Sequence, residues 1–257
     1  MTTIHATAVI HPGARLGEEC EIGPFCVLGE HVVLGARCRL HAHVVVDGHT
    51  VLGTDNEIYP FASIGLKTQD LKWKGGLTQT QIGDHNTIRE YVTIHSATGD
   101  GETTRVGSHN NFLAYCHLAH NVNVANHVIM SNAATLGGHV LVEDHAGVGG
   151  LAAVHQFCRI GKMSMIGGCS KVVQDVPPFM LVDGNPGRTR TVNKIRLERS
   201  GVPEETQNLL KQAYKILFRD GLTISIALLR IEAELPPVPE VLHLIQFARA
   251  SERGLSK

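Results

Sequence analysis

A large apolar residue recurs at every sixth position of this chain from Ile4 to Val172. Of the 29 positions in that phase, 26 carry a large apolar side chain, and the exceptions are Asp70, Gly76 and Asp100. A fixed short period held over most of a chain is the signature of a repeat architecture. The low aromatic content of 5% and the 27 glycines favour a repetitive β protein over a helical bundle.

Each six-residue unit is interpreted as one short strand followed by a corner. With the apolar position called i, residues i−2 and i should point inward, and residues i+2 and i+3 should turn the chain. Three units then form a triangular coil of 18 residues, and coils stack at about 4.8 Å, the spacing of neighbouring strands. Five of the six cysteines fall at i−2 and are expected to be small core residues. Asn56, Asn86 and Asn110 share that position and could form internal amide hydrogen bonds.

The repeat is interrupted twice and is followed by a different pattern. Residues 65–80 and 95–105 break the period but span whole units, so they are predicted to be loops that leave the coil and return in register. Beyond about residue 190 the apolar spacing becomes helical, with helices expected after Pro203, over 222–235 and over 239–252. We therefore predict a mainly β repeat domain over 1–190 and a small helical domain over 191–257.

The 18-residue coil predicts which distant residues meet. His120 should lie below Gly138 and Gln156, because residues 18 apart are vertical neighbours in the stack. Eight of the 16 histidines fall at i+3 and are interpreted as structural corner residues, whereas His120 is the only one at i+2 within the repeat. The residues predicted to gather at this corner are His120, Asn121, Gly138, His139 and Gln156, with His117 and His155 beside them.

This cluster suits acyl transfer. A neutral histidine can remove a proton from a hydroxyl near pH 7, and His120 is the candidate. A backbone N–H can stabilise a developing oxyanion, and Gly138 has no Cβ to block the approach of a carbonyl to its amide. No Ser–His or Cys–His pair stands out, so direct transfer is favoured over a covalent enzyme intermediate.

Several longer motifs resemble the UDP-N-acetylglucosamine O-acyltransferases of lipid A biosynthesis, within the hexapeptide-repeat acyltransferases. The motifs are His117-Leu118-Ala119-His120, Gly137-Gly138-His139-Val140, Val154-His155-Gln156-Phe157-Cys158, Gln69-Asp70-Leu71-Lys72, Gln174-Asp175-Val176-Pro177-Pro178 and Gly184-Asn185-Pro186. The likeness covers the whole chain. It implies a left-handed parallel β-helix, and a homotrimer with sites between neighbouring prisms. It also implies a cofactor-free transfer of a (R)-3-hydroxyacyl chain from acyl carrier protein to the 3-position of UDP-GlcNAc.

The resemblance also assigns roles to individual residues. His120 matches the general base, and Gly138 matches the backbone N–H at the oxyanion. The residues that match substrate contacts are Asp70, Lys72, His139, Gln156, Asn193 and Arg199. His117, Asn121 and His155 are included as neighbours of this site. Gly168 is predicted to border the end of the acyl tail. No metal ligand is expected.

Four positions depart from the pattern of the family. The Asp that usually follows the catalytic His is here Asn121, the usual second Arg is Ser200, a usual Glu is Ile195, and the second loop reads His95-Ser96-Ala97-Thr98. Asn121 lacks a negative charge, so the acid limb of kcat/KM is expected at lower pH than in Asn121→Asp. Alternatively, Asn121 faces the acceptor and reflects another substituent, such as an amine at the sugar 3-position.

The charges argue against a globally basic nucleic-acid binder. The chain has 23 Lys plus Arg and 24 Asp plus Glu, for a net charge of −1. Residues 159–200 nevertheless contain eight bases and three acids, a local charge of +5 that suits acidic acyl carrier protein or the phosphates of UDP. No apolar run reaches membrane-spanning length and the N-terminus resembles no signal peptide, so a cytoplasmic protein without stable membrane insertion is expected.

Two other enzyme classes remain as alternatives. A γ-type carbonic anhydrase uses the same repeat with three zinc-bound histidines, and His117, His120 and His139 are the candidates here. The later-acting N-acyltransferase of the same pathway also shares the repeat, but a separate domain would be expected before the coils. In this chain the repeat begins at Ile4.

Overall fold

The structure, a computed structural model, describes all 257 residues and contains 28 β-strands and four α-helices. The strands are β1 Thr3–Ile4, β2 Val9–Ile10, β3 Arg15–Leu16, β4 Glu21–Ile22, β5 Val27–Leu28, β6 Val33–Leu34, β7 Arg39–Leu40, β8 Val45–Val46, β9 His49–Leu52, β10 Glu57–Ile58, β11 Ser63–Leu66, β12 Gln79–Ile82, β13 Thr87–Ile88, β14 Thr93–His95, β15 Thr103–Val106, β16 Asn111–Phe112, β17 His117–Leu118, β18 Asn123–Val124, β19 Ile129–Met130, β20 Thr135–Leu136, β21 Leu141–Val142, β22 Gly147–Val148, β23 Ala153–Val154, β24 Arg159–Ile160, β25 Met165–Ile166, β26 Lys171–Val172, β27 Met180–Asp183 and β28 Arg188–Val192. The helices are α1 Lys194–Arg199, α2 Glu204–Phe218, α3 Ile224–Glu234 and α4 Pro239–Arg249.

The strands form three parallel sheets that are the faces of a triangular prism. Up to β26, every third strand belongs to the same sheet: sheet A holds β1, β4, β7 and their successors, sheet B begins with β2 and sheet C with β3. Strands one coil apart pair in parallel, and His117 is opposite Thr135 at the predicted offset of 18 residues. The predicted left-handed parallel β-helix with a small helical region is confirmed.

The corners depend on a left-handed backbone conformation at position i+3. Asn121 and His139, for example, have φ values of 60° and 59°. Asn and His tolerate this conformation better than most residues, which explains why six of the eight i+3 histidines adopt it. Their rings stack on those of the next coil, as His109 does on His127 with centroids 4.9 Å apart. The exceptions, His31 and His49, stack on each other.

The interior of the prism is apolar and crossed by a short amide ladder. A cluster of 40 buried residues contains five cysteines, as predicted from position i−2. Burial raises the pKa of the Cys116 thiol to about 11, so this group stays protonated at neutral pH. Asn86 donates from Nδ2 to Asn56 Oδ1 over 3.0 Å and accepts from the Asn110 N–H over 2.9 Å, which confirms the internal amide hydrogen bonds.

Both predicted loops leave the prism at the corner that follows sheet B. The first connects β11 to β12 through residues 67–78, and the second connects β14 to β15 through residues 96–102. Each loop contains fewer residues than the predicted ranges 65–80 and 95–105, because the flanking strands extend into those ranges. The coil register nevertheless resumes, with Ile58 opposite Ile88 after the first loop and Thr93 opposite His117 across the second. The loops therefore add residues to a coil without rotating the coils that follow.

The C-terminal part forms a second apolar cluster of 18 buried residues. β27 continues sheet A in parallel, and β28 returns antiparallel to it before α1, a helix that the sequence pattern did not predict. Phe179 and Met180 pack with the helices rather than with the prism interior. The domain boundary at residue 190 stays a prediction. None of the four helices has the length and apolar character needed to cross a bilayer. The cytoplasmic location stays a prediction.

Candidate active site

The two loops fold over one corner of the prism, formed by His120, Asn121, Gly138, His139, Gln156 and Phe157. We call this set the His120 corner. Thr68 of the first loop and Thr98 of the second are joined by a hydroxyl–hydroxyl hydrogen bond of 2.8 Å. The first loop also brings Asp70 Oδ2 to 3.6 Å from His120 Nε2. Residues from three separate parts of the chain therefore meet around one imidazole.

Asn121 holds His120 in a single orientation. The Nδ1–H of His120 donates to Asn121 Oδ1 over 2.9 Å, and the backbone N–H of Thr98 donates to the same oxygen over 3.0 Å. The Nδ2 of Asn121 donates to Glu102 Oε2 over 2.7 Å, which fixes which end of the amide faces the histidine. Because Oδ1 can only accept, Nδ1 carries the ring proton of neutral His120 and Nε2 keeps a lone pair for an incoming hydroxyl.

Although Asn121 stands where the family usually has Asp, two carboxylates lie close to His120 and Asn121. Glu102 contacts Asn121 directly, and Asp70 faces the other nitrogen of His120. The hydrogen bond from Asn121, followed by that from the Gly99 N–H, lowers the pKa of Glu102 below its ordinary value. The amide of Asn121 is thus hydrogen-bonded to His120, and its oxygen and nitrogen are both occupied by protein groups.

Gly138 presents a backbone N–H beside the imidazole of His120. This N–H has no acceptor within the protein, whereas the neighbouring Gly137 N–H pairs with the Val154 carbonyl oxygen over 2.9 Å. A Cβ at Gly138 would overlap the ring of His120. Only glycine therefore allows the coil above to approach the base so closely and leaves a free donor next to it.

Two further histidines, His117 and His95, lie close to His120 and are uncharged at neutral pH. His117 Nδ1 is hydrogen-bonded to the Thr93 hydroxyl over 2.7 Å, and burial, followed by the nearby His120, lowers the pKa of His117. His95 stands edge-on to His117 with ring centroids 5.2 Å apart, and its side chain is only 6% exposed. Burial is the main cause that lowers the pKa of His95 to about 4. These rings line the site without adding positive charge at neutral pH.

Because His95 is buried, we expect the free energy of unfolding to fall as the pH is lowered from about 6.5 to about 4. The unfolded chain takes up a proton at His95 near pH 6.5, whereas the folded protein does so only near pH 4. Between these values the unfolded state binds more protons, so the free energy of unfolding falls as the pH falls, by about 3 kcal/mol at most. Above pH 6.5 this contribution is constant. Urea titrations from pH 4 to 7 should show a shallower fall for His95→Asn than for the parent, and parallel curves would contradict the account.

The upper part of the His120 corner is aromatic and opens into a pocket. The His139 ring stands edge-on to His120 at 5.2 Å and stacks on Phe157 at 4.7 Å. Gln156 and His155 are exposed beside them. A surface pocket of about 560 Å³ continues from His139 and Phe157 to a wall that carries two arginines, Arg159 and Arg253, and two carboxylates, Asp175 and Glu252. The His120 corner therefore lies next to a pocket whose wall carries charges of both signs.

The histidines of this corner are not arranged as a zinc site. No three or more His, Cys, Asp or Glu side chains anywhere in the chain are grouped so that they could hold a metal ion. His120 Nδ1 is directed at an amide oxygen, and His117 Nδ1 at a hydroxyl. This geometry gives no support to the carbonic anhydrase alternative.

Within one subunit, the structure does not bring every predicted site residue to the His120 corner. Gly168 is exposed but lies above Gly150 at the corner that follows sheet A. Asn193 caps α1, and its Nδ2 donates to the Met163 carbonyl oxygen over 2.9 Å, at the corner that follows sheet C. Arg199 is exposed at the last turn of α1. Lys72 does lie near, because its backbone N–H donates to Asp70 Oδ1 over 2.9 Å on the loop that reaches His120.

Sequence reasoning missed three residues that shape the site: His95, Thr98 and Glu102. His95 and Thr98 both belong to the loop sequence that departs from the family pattern, but the repeat gives no sign that His95 is buried. Thr98 and Glu102 lie in the second loop, outside the six-residue phase that predicted the other contacts. The available signal was the loop itself, because residues 96–102 leave the prism at the corner that carries His120.

Two family models match parts of the chain. Domain 2 of UDP-N-acetylglucosamine O-acyltransferase matches residues 175–256, and the bacterial transferase hexapeptide, a unit of six repeats, matches residues 13–48. The first match covers the hairpin and the helices, and the second lies in the lower part of the prism.

Full-length relatives extend the similarity over the whole chain. Acyl-[acyl-carrier-protein]–UDP-N-acetylglucosamine O-acyltransferase of Thermodesulfovibrio yellowstonii is 49% identical and that of Halorhodospira halophila 48% identical, with 99–100% of each chain covered. The solved structure of LpxA from Acinetobacter baumannii is 43% identical with a TM-score of 0.96, and 99% of each chain is covered. LpxA of Bacteroides fragilis, a UDP-N-acetylglucosamine acyltransferase, is 36% identical with a TM-score of 0.97 and covers 99% of this chain and 100% of its own. The chain therefore belongs to the family of acyl-[acyl-carrier-protein]–UDP-N-acetylglucosamine O-acyltransferases.

Proposed function

We propose that the protein transfers a (R)-3-hydroxyacyl chain from acyl carrier protein to the 3-hydroxyl of UDP-GlcNAc at the His120 corner. The observation that carries this proposal is the orientation of His120. Asn121 Oδ1 accepts a hydrogen bond from the Nδ1–H of His120, so Nε2 is free to act as a base beside the unpaired N–H of Gly138. A base and an oxyanion donor side by side are what direct acyl transfer requires.

The transfer proceeds in two proton steps on the same nitrogen. His120 Nε2 takes the proton of the sugar hydroxyl as its oxygen attacks the thioester carbon. The negative charge that develops on the carbonyl oxygen is stabilised by the Gly138 N–H. Collapse of this intermediate breaks the carbon–sulfur bond and forms the ester, and the imidazolium returns its proton to the departing thiolate. Asp70 Oδ2 lies 3.6 Å from Nε2, the atom that carries the proton during the transfer.

The cysteines support direct transfer rather than an acyl-enzyme. Five of the six are buried in the prism, where burial raises the pKa of Cys38, Cys116 and Cys158 to about 11. A thiol must ionise to act as a nucleophile, so these groups are unreactive at neutral pH. Cys169 is exposed but follows Gly168 at the corner after sheet A, away from His120 within a subunit.

A homotrimer would complete the site. Gly168, Asn193 and Arg199 lie on other corners of the same prism, so they can join His120 only if another copy presents them. A flat-sided prism suits packing around a threefold axis. The basic stretch 159–200 would then lie near the anionic parts of both substrates, acyl carrier protein and the UDP pyrophosphate.

A direct assay tests the proposed substrates. The purified protein is supplied with (R)-3-hydroxyacyl thioesters of acyl carrier protein of several chain lengths, and with UDP-GlcNAc, its 3-deoxy analogue or its 3-amino analogue as acceptor. We expect turnover with UDP-GlcNAc and none with the 3-deoxy sugar, because the nucleophile is then missing. Equal turnover with the 3-deoxy sugar would show that another group is acylated.

Gly168 gives a prediction for the acyl chain. A Cβ at this exposed glycine would meet only the Gly150 carbonyl oxygen, at 3.3 Å, so a longer side chain should be tolerated by the fold. If the tail of the acyl chain ends there in the assembled trimer, Gly168→Met shortens the available space. The ratio of kcat/KM for a chain four carbons shorter to that for the preferred chain should rise about tenfold or more. Unchanged selectivity in a competition assay with mixed chain lengths would show that the tail runs elsewhere.

A further inference from the structure

The charge nearest to Asn121 comes from Glu102, a residue of the second loop. Glu102 Oε2 accepts from Asn121 Nδ2 over 2.7 Å and also from the Gly99 N–H over 2.8 Å. Asn121 Oδ1 in turn accepts the Nδ1–H of His120 over 2.9 Å. A continuous hydrogen-bonded chain therefore runs from the carboxylate through a neutral amide to the imidazole.

This chain has a direction. Each link donates toward the carboxylate: His120 donates to Asn121, and Asn121 donates to Glu102. Negative charge on Glu102 polarises the amide, and a polarised amide oxygen is a better acceptor for Nδ1–H. The acceptance strengthens when His120 becomes an imidazolium, so the benefit is greater in the transition state than in the resting enzyme.

We propose that Glu102 is a positioning residue that supplies, through Asn121, the negative charge behind the catalytic base. Glu102 does not touch His120, and Asn121 relays its effect. This inference rests on the proposed role of His120 as the general base. It assigns to the second loop a part in the chemistry that the six-residue repeat alone does not provide.

A purely structural role for Glu102 can be separated from this one. The carboxylate also fixes the loop through Gly99, so its complete removal would affect both functions. In Glu102→Gln, however, the amide oxygen can occupy the place of Oε2 and accept from both Gly99 and Asn121. That substitution removes the charge and keeps the two hydrogen bonds. Glu102→Ala removes both.

Other charged and titratable groups also face His120, and they remain unchanged in these variants. They are Asp70 on the first loop, His95 on β14, His117 on β17 and His139 on the next coil, and Lys72 of the first loop lies near His139. Any shift between the parent and Glu102→Gln therefore reports the charge at position 102.

The experiment measures kcat and kcat/KM against pH for the parent, Glu102→Gln and Glu102→Ala. Loss of the charge should make protonation of the base harder, so the acid limb of kcat/KM should move down by about half a pH unit for an exposed carboxylate. The plateau value of kcat should fall about three- to tenfold in Glu102→Gln, since the imidazolium is less stabilised. KM for UDP-GlcNAc and the melting temperature should stay close to those of the parent. Glu102→Ala should lower kcat further and also lower the melting temperature.

Moving the charge provides the decisive variant. In Asn121→Asp alone, the new carboxylate would face that of Glu102, where an amide now donates over 2.7 Å. Activity should fall because the two negative charges repel each other. In the double variant Asn121→Asp with Glu102→Gln, the charge is placed beside the imidazole, and the amide introduced at position 102 can donate to it. The double variant should be more active than Asn121→Asp, and its acid limb should lie above that of Glu102→Gln.

The outcomes separate this inference from the proposed function. If His120→Ala is inactive but Glu102→Gln leaves both the acid limb and kcat unchanged, the relay is wrong and the base assignment stands. A rise in KM or a lower melting temperature without a shift of the acid limb also overturns the relay, because it indicates a structural role. If His120→Ala retains turnover, the proposed function fails and the relay fails with it.

Discussion

His120→Ala lowers kcat by about 10²–10⁴ while the protein stays folded, because the proton of the sugar hydroxyl then has no acceptor in the site. His120 belongs to neither of the two apolar core clusters and its ring is hydrogen-bonded to Asn121, so its removal should leave the protein folded. KM for UDP-GlcNAc should change less than kcat, since the lost interaction acts mainly in the transition state. Steady-state rates over pH 6–9 test this prediction.

The matched control is His127→Ala, at the corner that follows sheet C, where its ring stacks between those of His109 and His145. His127 is exposed and adopts the left-handed conformation, and Ala133 already occupies an equivalent corner with φ of 58°. This variant should keep the activity of the parent. If both variants lose activity equally, the loss reflects damage to the prism. If His120→Ala retains parental turnover, the base lies elsewhere.

Gly138→Ala should lower kcat by about 10²–10³, which is the typical effect of losing one oxyanion donor. The new methyl group would overlap the imidazole of His120, so it displaces this ring from its position beneath Gly138. It would also cover the free N–H at which the oxyanion is proposed to form. Because one substitution disturbs both the base and the donor, its effect on kcat should exceed its effect on KM for either substrate.

Gly150→Ala is the control for adding a methyl group at the same position of a coil. A Cβ there would meet the Asn132 carbonyl oxygen at 3.3 Å and no side chain of the His120 corner. Both variants should have melting temperatures within a few degrees of the parent, and only Gly138→Ala should lose activity. An active Gly138→Ala would show that the oxyanion is stabilised by another group.

The fold and the centre of the site could be predicted because both depend on the period. Residues 118–156 run through the coils without an insertion, so the 18-residue offset placed Gly138 over His120 and His139 beside Phe157. The same rule required the inward cysteines and the asparagine ladder, and the structure confirms them. In a repeat fold each unit contacts its neighbouring units, so residues in contact can be found from a fixed offset in the sequence.

Contacts that involve the loops could not be predicted in this way. Asp70, Thr98 and Glu102 lie in segments whose course is set by particular hydrogen bonds, such as that between Thr68 and Thr98, and not by the phase of the apolar residues. The charge behind the base was therefore invisible in the sequence. Gly168 illustrates a limit of a different kind, because its corner follows from the count and only the assembly of subunits could bring it to the acyl chain.

The central claim is that the His120 corner transfers the acyl group directly to the sugar 3-hydroxyl. It is tested most directly by single-turnover reactions quenched at increasing times, with the intact mass of the enzyme and the linkage of the product both determined by mass spectrometry and NMR. The account predicts an ester at the 3-oxygen of UDP-GlcNAc, and an unmodified enzyme mass at every time point. An enzyme species heavier by one acyl group that decays as product appears, or acylation at another position of the sugar, would contradict it.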